Sequence, residues 1–153
     1  MRIIRPATID NLDMTLESTN VSVGYPEYDA GTTYDLDDIV YSSTTNHEYQ
    51  ALTDGESGNS LSNPAKWLDL GWTNPYRMFD QSNSSQSTNS ETIDVTVSID
   101  GRADSVSVLN MFAATVQIIM STDADGELYN ETFNLVSDSG VNNWYEYFFE
   151  PVD

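Results

Sequence analysis

Ile93, Val95, Val97 and Ile99 alternate with Asp94, Thr96 and Ser98 in the stretch TIDVTVSID. A period of two places the four apolar side chains on one face of an extended chain, the pattern of a half-buried strand. DSVSVLNMF (104–112) continues the alternation and slips phase at Val108–Leu109, which predicts a bulge or a strand end. TVQIIMS (115–121) and ELYNETFNLV (127–136) read as two further strands, and the DADG between them is a tight hairpin turn. WYEYFFEPV (144–152) gives a last, strongly apolar strand. Upstream, shorter strands are predicted over 39–43 and 47–53. Ile3 and Ile4 form another short candidate, which Pro6 limits to a sheet edge. LDMTLESTNVSV (12–23) mixes apolar and polar residues without a clear period, and TDGESGNSLSNP (53–64) is a turn-rich connection. QSNSSQSTNSE (81–91) contains no apolar residue and predicts an exposed loop. No segment carries the period of an amphipathic helix. The fold expected is all-β: a small aromatic-rich β module followed by an antiparallel β-sandwich. Residues 1–24 form a lead segment, an edge strand or partner contact; 25–70 form the module and 71–153 the sandwich.

Composition narrows what such a chain does. Five basic residues face 25 acidic ones, a formal charge of −20. Phosphate recognition needs clustered Lys or Arg, so nucleic acid is not an expected partner. An anionic membrane surface is disfavoured in the same way. There is no cysteine, which excludes disulfide scaffolds, thiolate metal sites and thiol catalysis. MRIIRPATI reaches Pro6 and polar residues where a signal peptide would have its apolar stretch, and no run is long enough to span a bilayer, so no membrane insertion is expected. Apolar residues make up 39% of the chain and aromatic ones 11%, so the core must lean on Tyr, Trp and Phe.

Two resemblances rest on ordered residues. Tyr28, TTYDLDDIVY, HEYQAL, Gly58-Asn59 and Trp67 follow the pattern of the chitin/cellulose-binding type-3 module of carbohydrate-binding families 5 and 12. Tyr34, Asp38, Val40, Tyr49, Ala51, Gly58 and Trp67 match it. Asp37 stands where that family has a turn glycine, and aspartate tolerates the left-handed conformation better than most residues. Thr53 and Asp54 stand where the family carries its second sugar-stacking aromatic; the first is Tyr28. Further on, PYRMFD, SVLNMFAATVQIIMSTDADGELYNETFNL and WYEYFFEP resemble a galactose-binding-like, discoidin-type β-sandwich. Taken together, the stretches 2–8, 28–67, 73–80 and 144–151 are similar in order to a group of tailed-bacteriophage virion proteins. The resemblance implies a place in the tail or tail tip and a part in host adsorption.

Each candidate site has a plainer reading beside it. Asp35, Asp37 and Asp38 would need a cleft and divergent environments to act as catalytic carboxylates. A solvated turn, with Asp38 capping backbone amides, is the simpler account. Asp123, Asp125 and Glu131 offer oxygens of the kind calcium takes, but the spacing breaks the EF-hand register and a hairpin turn explains it. His47 is the only histidine, and no nucleophile elbow, phosphate loop or paired metal-binding histidine motif accompanies it. Arg77 is expected to clamp a carboxylate. Tyr34, Tyr49 and Trp67 are assigned to the module core, which leaves Tyr28 as the carbohydrate-binding candidate.

The function expected is that of a non-enzymatic structural component of a tailed phage particle, made in the host cytoplasm and carried in the virion. Its partners would be other virion proteins, copies of itself and a host surface glycan. It needs no cofactor beyond the calcium considered above. The competing readings are a polysaccharide-binding module of a secreted protein and a small glycan hydrolase. The hydrolase would require two carboxylates facing each other about 5–9 Å apart in a groove.

Overall fold

The computed structural model describes residues 7–9, 14–80, 82, 84–103 and 105–135. It is all-β: seven strands in three antiparallel sheets, with one 3-10 turn at Arg77–Phe79 as its only helical element among these residues. No helix among them is long and apolar enough to cross a membrane. The expected strands at Ile3–Ile4 and 144–152 lie outside the described residues.

The chain divides into two compact units, Met1–Leu109 and Asn110–Asp153. In the first, β2 (Ile39–Ser42), β3 (His47–Ala51) and β4 (Trp67–Trp72) form a meander in the order β2-β3-β4. A four-residue turn joins β2 to β3, and Asn46 closes it at φ 57°, donating its backbone N–H to Ser42 O at 2.7 Å. The β3–β4 register shifts between Glu48 and Tyr49, which face Gly71 and Asp69. Leu70 is therefore the extra residue of a bulge. Gly71 beside it takes φ 91°, a conformation costly for any residue with a Cβ.

One face of this sheet buries Val40, Tyr49, Ala51 and Trp67, which cluster with Tyr34 from the preceding loop. Tyr28 and Leu61 pack against the cluster from its rim. Rings supply most of the buried area, as a short module without disulfides requires. Tyr34 and Trp67 meet edge to face with centroids 5.5 Å apart.

The first unit also holds a strand that the sequence pattern left unassigned. β1 (Met14–Thr19) pairs with β5 (Val95–Ile99), setting Met14 opposite Ile99 and Leu16 opposite Val97. β1 belongs to the lead segment and β5 to the second half of the chain, so the pair brackets the meander. Asn20 extends the clasp: its amide nitrogen donates to Thr92 O at 3.0 Å and its amide oxygen accepts from Asp94 N at 2.9 Å. Asn74 ties in the polar loop by donating to Thr88 O and accepting from Thr88 N.

In the second unit, β6 (Thr115–Thr122) and β7 (Gly126–Asn134) form the expected hairpin, with Gly126 at φ 72°. Several of its apolar side chains are open to solvent, among them Ile119, Leu128, Tyr129 and Phe133. Residues 105–112, expected to continue as a strand, form none, and Phe112 there is fully exposed. β propensity needs a partner strand to become structure, and this segment pairs with none of the described strands.

Candidate functional site

The module aromatics form the first candidate region. Tyr34, Tyr49 and Trp67 are all buried in the core cluster, Trp67 with 3% of its surface exposed. Tyr28 is half-buried. Its ring stacks on Tyr34 at 5.7 Å and meets Trp67 edge-on at 5.5 Å. Its hydroxyl donates to Asn59 O at 2.5 Å. Burial, together with the nearby Tyr34 and Asp29, raises the pKa of that phenol above its ordinary value, so it stays a neutral donor. Tyr28 therefore lends one face to the core and keeps only part of its ring for a ligand. The Trp67 indole N–H is buried without a hydrogen-bond partner.

In the acidic turn, the Asp37 and Asp38 side chains have structural roles. Asp38 Oδ2 accepts from Asp35 N at 2.8 Å, capping the turn. Asp37 sits at φ 70°, in the left-handed region that favours glycine, and its Oδ1 accepts from Gln50 Nε2 at 2.8 Å. Asp37 N in turn donates to Ala51 O at 3.0 Å. The Asp38 carboxylate is thus engaged by a backbone amide and the Asp37 carboxylate by a side chain of the neighbouring strand.

Two buried carboxylates that no sequence motif marks are the more heavily engaged. Glu56 is 3% exposed and takes Lys66 Nζ at 2.5 Å, Asn59 Nδ2 at 2.7 Å and the Thr53 hydroxyl. The hydrogen bonds from Lys66 and Thr53 hold its pKa below the usual carboxylate value, against the opposing effect of burial. Glu48, also 3% exposed, accepts from Arg77 Nη2 at 2.9 Å, while Arg77 Nε donates to Trp72 O at 3.1 Å. Arg77 is the clamp that its isolation among so few cations predicts. Thr53 completes the Glu56–Lys66 cluster.

Among the described residues, no three His, Asp or Glu side chains converge into a group able to hold a metal. Asp123, Asp125 and Glu131 are thus not gathered into a calcium site. Asp125 instead closes the hairpin, its N–H donating to Thr122 Oγ1 at 3.0 Å, and Glu131 lies within the ladder opposite Ile118.

Compared with protein-family models, with curated proteins and with solved structures, the chain matches none of them. The functional reading therefore rests on the residues themselves.

Proposed function

We propose that the chain is a structural component of a tailed phage particle, tail or tail-tip associated, in which a carbohydrate-binding-like module assists adsorption to the host surface. In this reading residues 71–153 contribute to a galactose-binding-like β-sandwich, and the chain acts by packing against neighbouring virion subunits rather than by catalysis. The observation that best supports it is the apolar surface of the second unit. Ile119, Met120, Leu128, Tyr129 and Phe133 are all exposed on one hairpin. A two-stranded hairpin is marginal in water by itself, and exposed apolar strand surface of this kind is what an assembly subunit turns toward its neighbours. Copies arranged around a symmetric tail would convert weak glycan contacts into avidity.

Light scattering at low and high salt tests the assembly. A defined oligomer is expected, strengthening as salt screens the charge of −20. A monomer at every salt and protein concentration would refute it. The alternative reading, a polysaccharide-binding module, is favoured by Tyr28, whose half-buried ring stands at the edge of the aromatic cluster.

A further inference from the structure

The core face of the β2-β3-β4 sheet does not end at Tyr49. Its aromatic character continues along β3 and across to the end of β4. His47 pairs directly with Trp72 in the ladder, and their rings meet edge to face with centroids 4.7 Å apart. Trp72 is followed by a tightly bonded turn in which Thr73 is fully buried and donates its N–H to Asn46 O at 2.8 Å. That turn, closed by Tyr76 N donating to Thr73 O, returns Tyr76 to Trp72. The two rings lie 6.0 Å apart and 20° from parallel. This separation exceeds face-to-face contact, so the rings are offset and each leaves part of its face uncovered. Both are half-buried, and they line a small pocket with Ile9 and Phe79.

Polar groups fixed in position adjoin the rings. Asp69 places its two oxygens 3.0 and 2.9 Å from His47 Nδ1 and also accepts from Gly71 N at 2.8 Å. A carboxylate only accepts, so His47 Nδ1–H donates to Asp69, and Nε2 is the ring's second polar atom. Asp69, half-exposed, retains acceptor capacity of its own.

We propose that Trp72 and Tyr76, with His47 and Asp69 beside them, form a binding platform for an uncharged pyranose of a glycan chain. Sugar C–H faces carry slight positive charge and suit the negative face of an aromatic ring, while hydroxyls, which both donate and accept, pair with oriented groups such as the Asp69 carboxylate and His47 Nε2. The charge of −20 repels anionic glycans and selects neutral ones. The platform lies apart from Tyr28 and supplies the paired stacking surface that Thr53 and Asp54 do not. The inference rests on the glycan-binding part of the proposed function.

The test is NMR titration of the full chain with cellohexaose and with chitohexaose, following the Trp72 indole N–H and the His47 ring, with an alginate hexasaccharide as the anionic comparison. At least one neutral probe should give saturable shifts at these residues, and alginate none. Tyr76→Ala should weaken binding about tenfold or more. Trp72→Phe, which keeps an aromatic ring and guards against misfolding, should weaken it less, and Tyr25→Ala, at an exposed tyrosine outside the platform, should leave it unchanged. Binding that survives Tyr76→Ala but is lost in Tyr28→Ala would overturn this inference while sparing the glycan-binding reading. No binding of either neutral probe by the parent chain would overturn both.

Discussion

Replacing Arg77 with methionine leaves Glu48 buried without its counter-charge. Glu48 is 3% exposed, and Arg77 Nη2 at 2.9 Å is its ion-pair partner. Breaking a fully buried pair from one side costs about 3–5 kcal/mol. Arg77 itself is roughly one-third open to water, which screens part of the interaction and lowers the expectation to about 2–4 kcal/mol. The loss of the Nε donor to Trp72 O falls within that figure. Urea unfolding followed by tryptophan fluorescence is the assay, because Trp67 and Trp72 both belong to this sheet. With a denaturant slope of about 1–2 kcal/mol/M, the midpoint should fall by about 1–4 M. The double variant Glu48→Leu/Arg77→Met removes both charges and should recover much of the loss. A single variant within about 0.5 kcal/mol of the parent, or a double variant no better than the single one, would refute the claim that this pair is an interior clamp.

Val40, 1% exposed at the centre of the cluster, should cost about 2–3 kcal/mol as Val40→Ala, read from the same urea midpoint. At Asp37, φ 70° makes Asp37→Val the damaging change and Asp37→Gly the tolerated one, with a midpoint difference corresponding to about 1–2 kcal/mol between them. The lowered pKa of Glu56 means that its contribution is complete above the ordinary carboxylate value of 4.5 and is lost as pH falls through the depressed folded value. The stability gap between the parent and Glu56→Gln should therefore be largest near neutral pH and shrink on acidification, checked by urea melts from pH 7 down to pH 3.

What could be read from the sequence depended on how far each pattern reached. β5, β6 and the hairpin turn announced themselves because alternation and turn residues are local signals, and β2 and β3 followed from short apolar runs between turns. β1 escaped because its two half-buried apolar residues, Met14 and Leu16, give too brief an alternation before the register slips near Glu17. Its partner, moreover, lies far along the chain. β4 escaped because the bulge at Leu70 breaks the period within WLDLGW. Residues 105–112 show the converse: a good strand pattern that pairs with no strand among the described residues. At the sites, the left-handed turn at Asp37 was legible from the resemblance. Glu48 and Glu56 were not, since among 25 acidic residues nothing local separates a buried carboxylate from a solvated one until the fold brings Arg77 and Lys66 to them. The His47–Trp72–Tyr76 line was hidden for the same reason, as only the β3–β4 register and the turn after it bring the three rings together.

The clasp between β1 and β5 also sets an order of events. Ser98 and Glu17, hydrogen-bonded across it, are 81 residues apart in sequence, whereas the meander between them closes through short turns and one longer connection. Closing so long a loop in a disordered chain is entropically expensive. Once the meander has folded, most of the intervening chain is already ordered, and the ends have far less freedom left to lose. The Tyr34–Val40–Trp67 nucleus is therefore expected to form before the clasp. In the reverse direction the clasp is expected to open before the aromatic module, releasing the lead strand while the module stays intact.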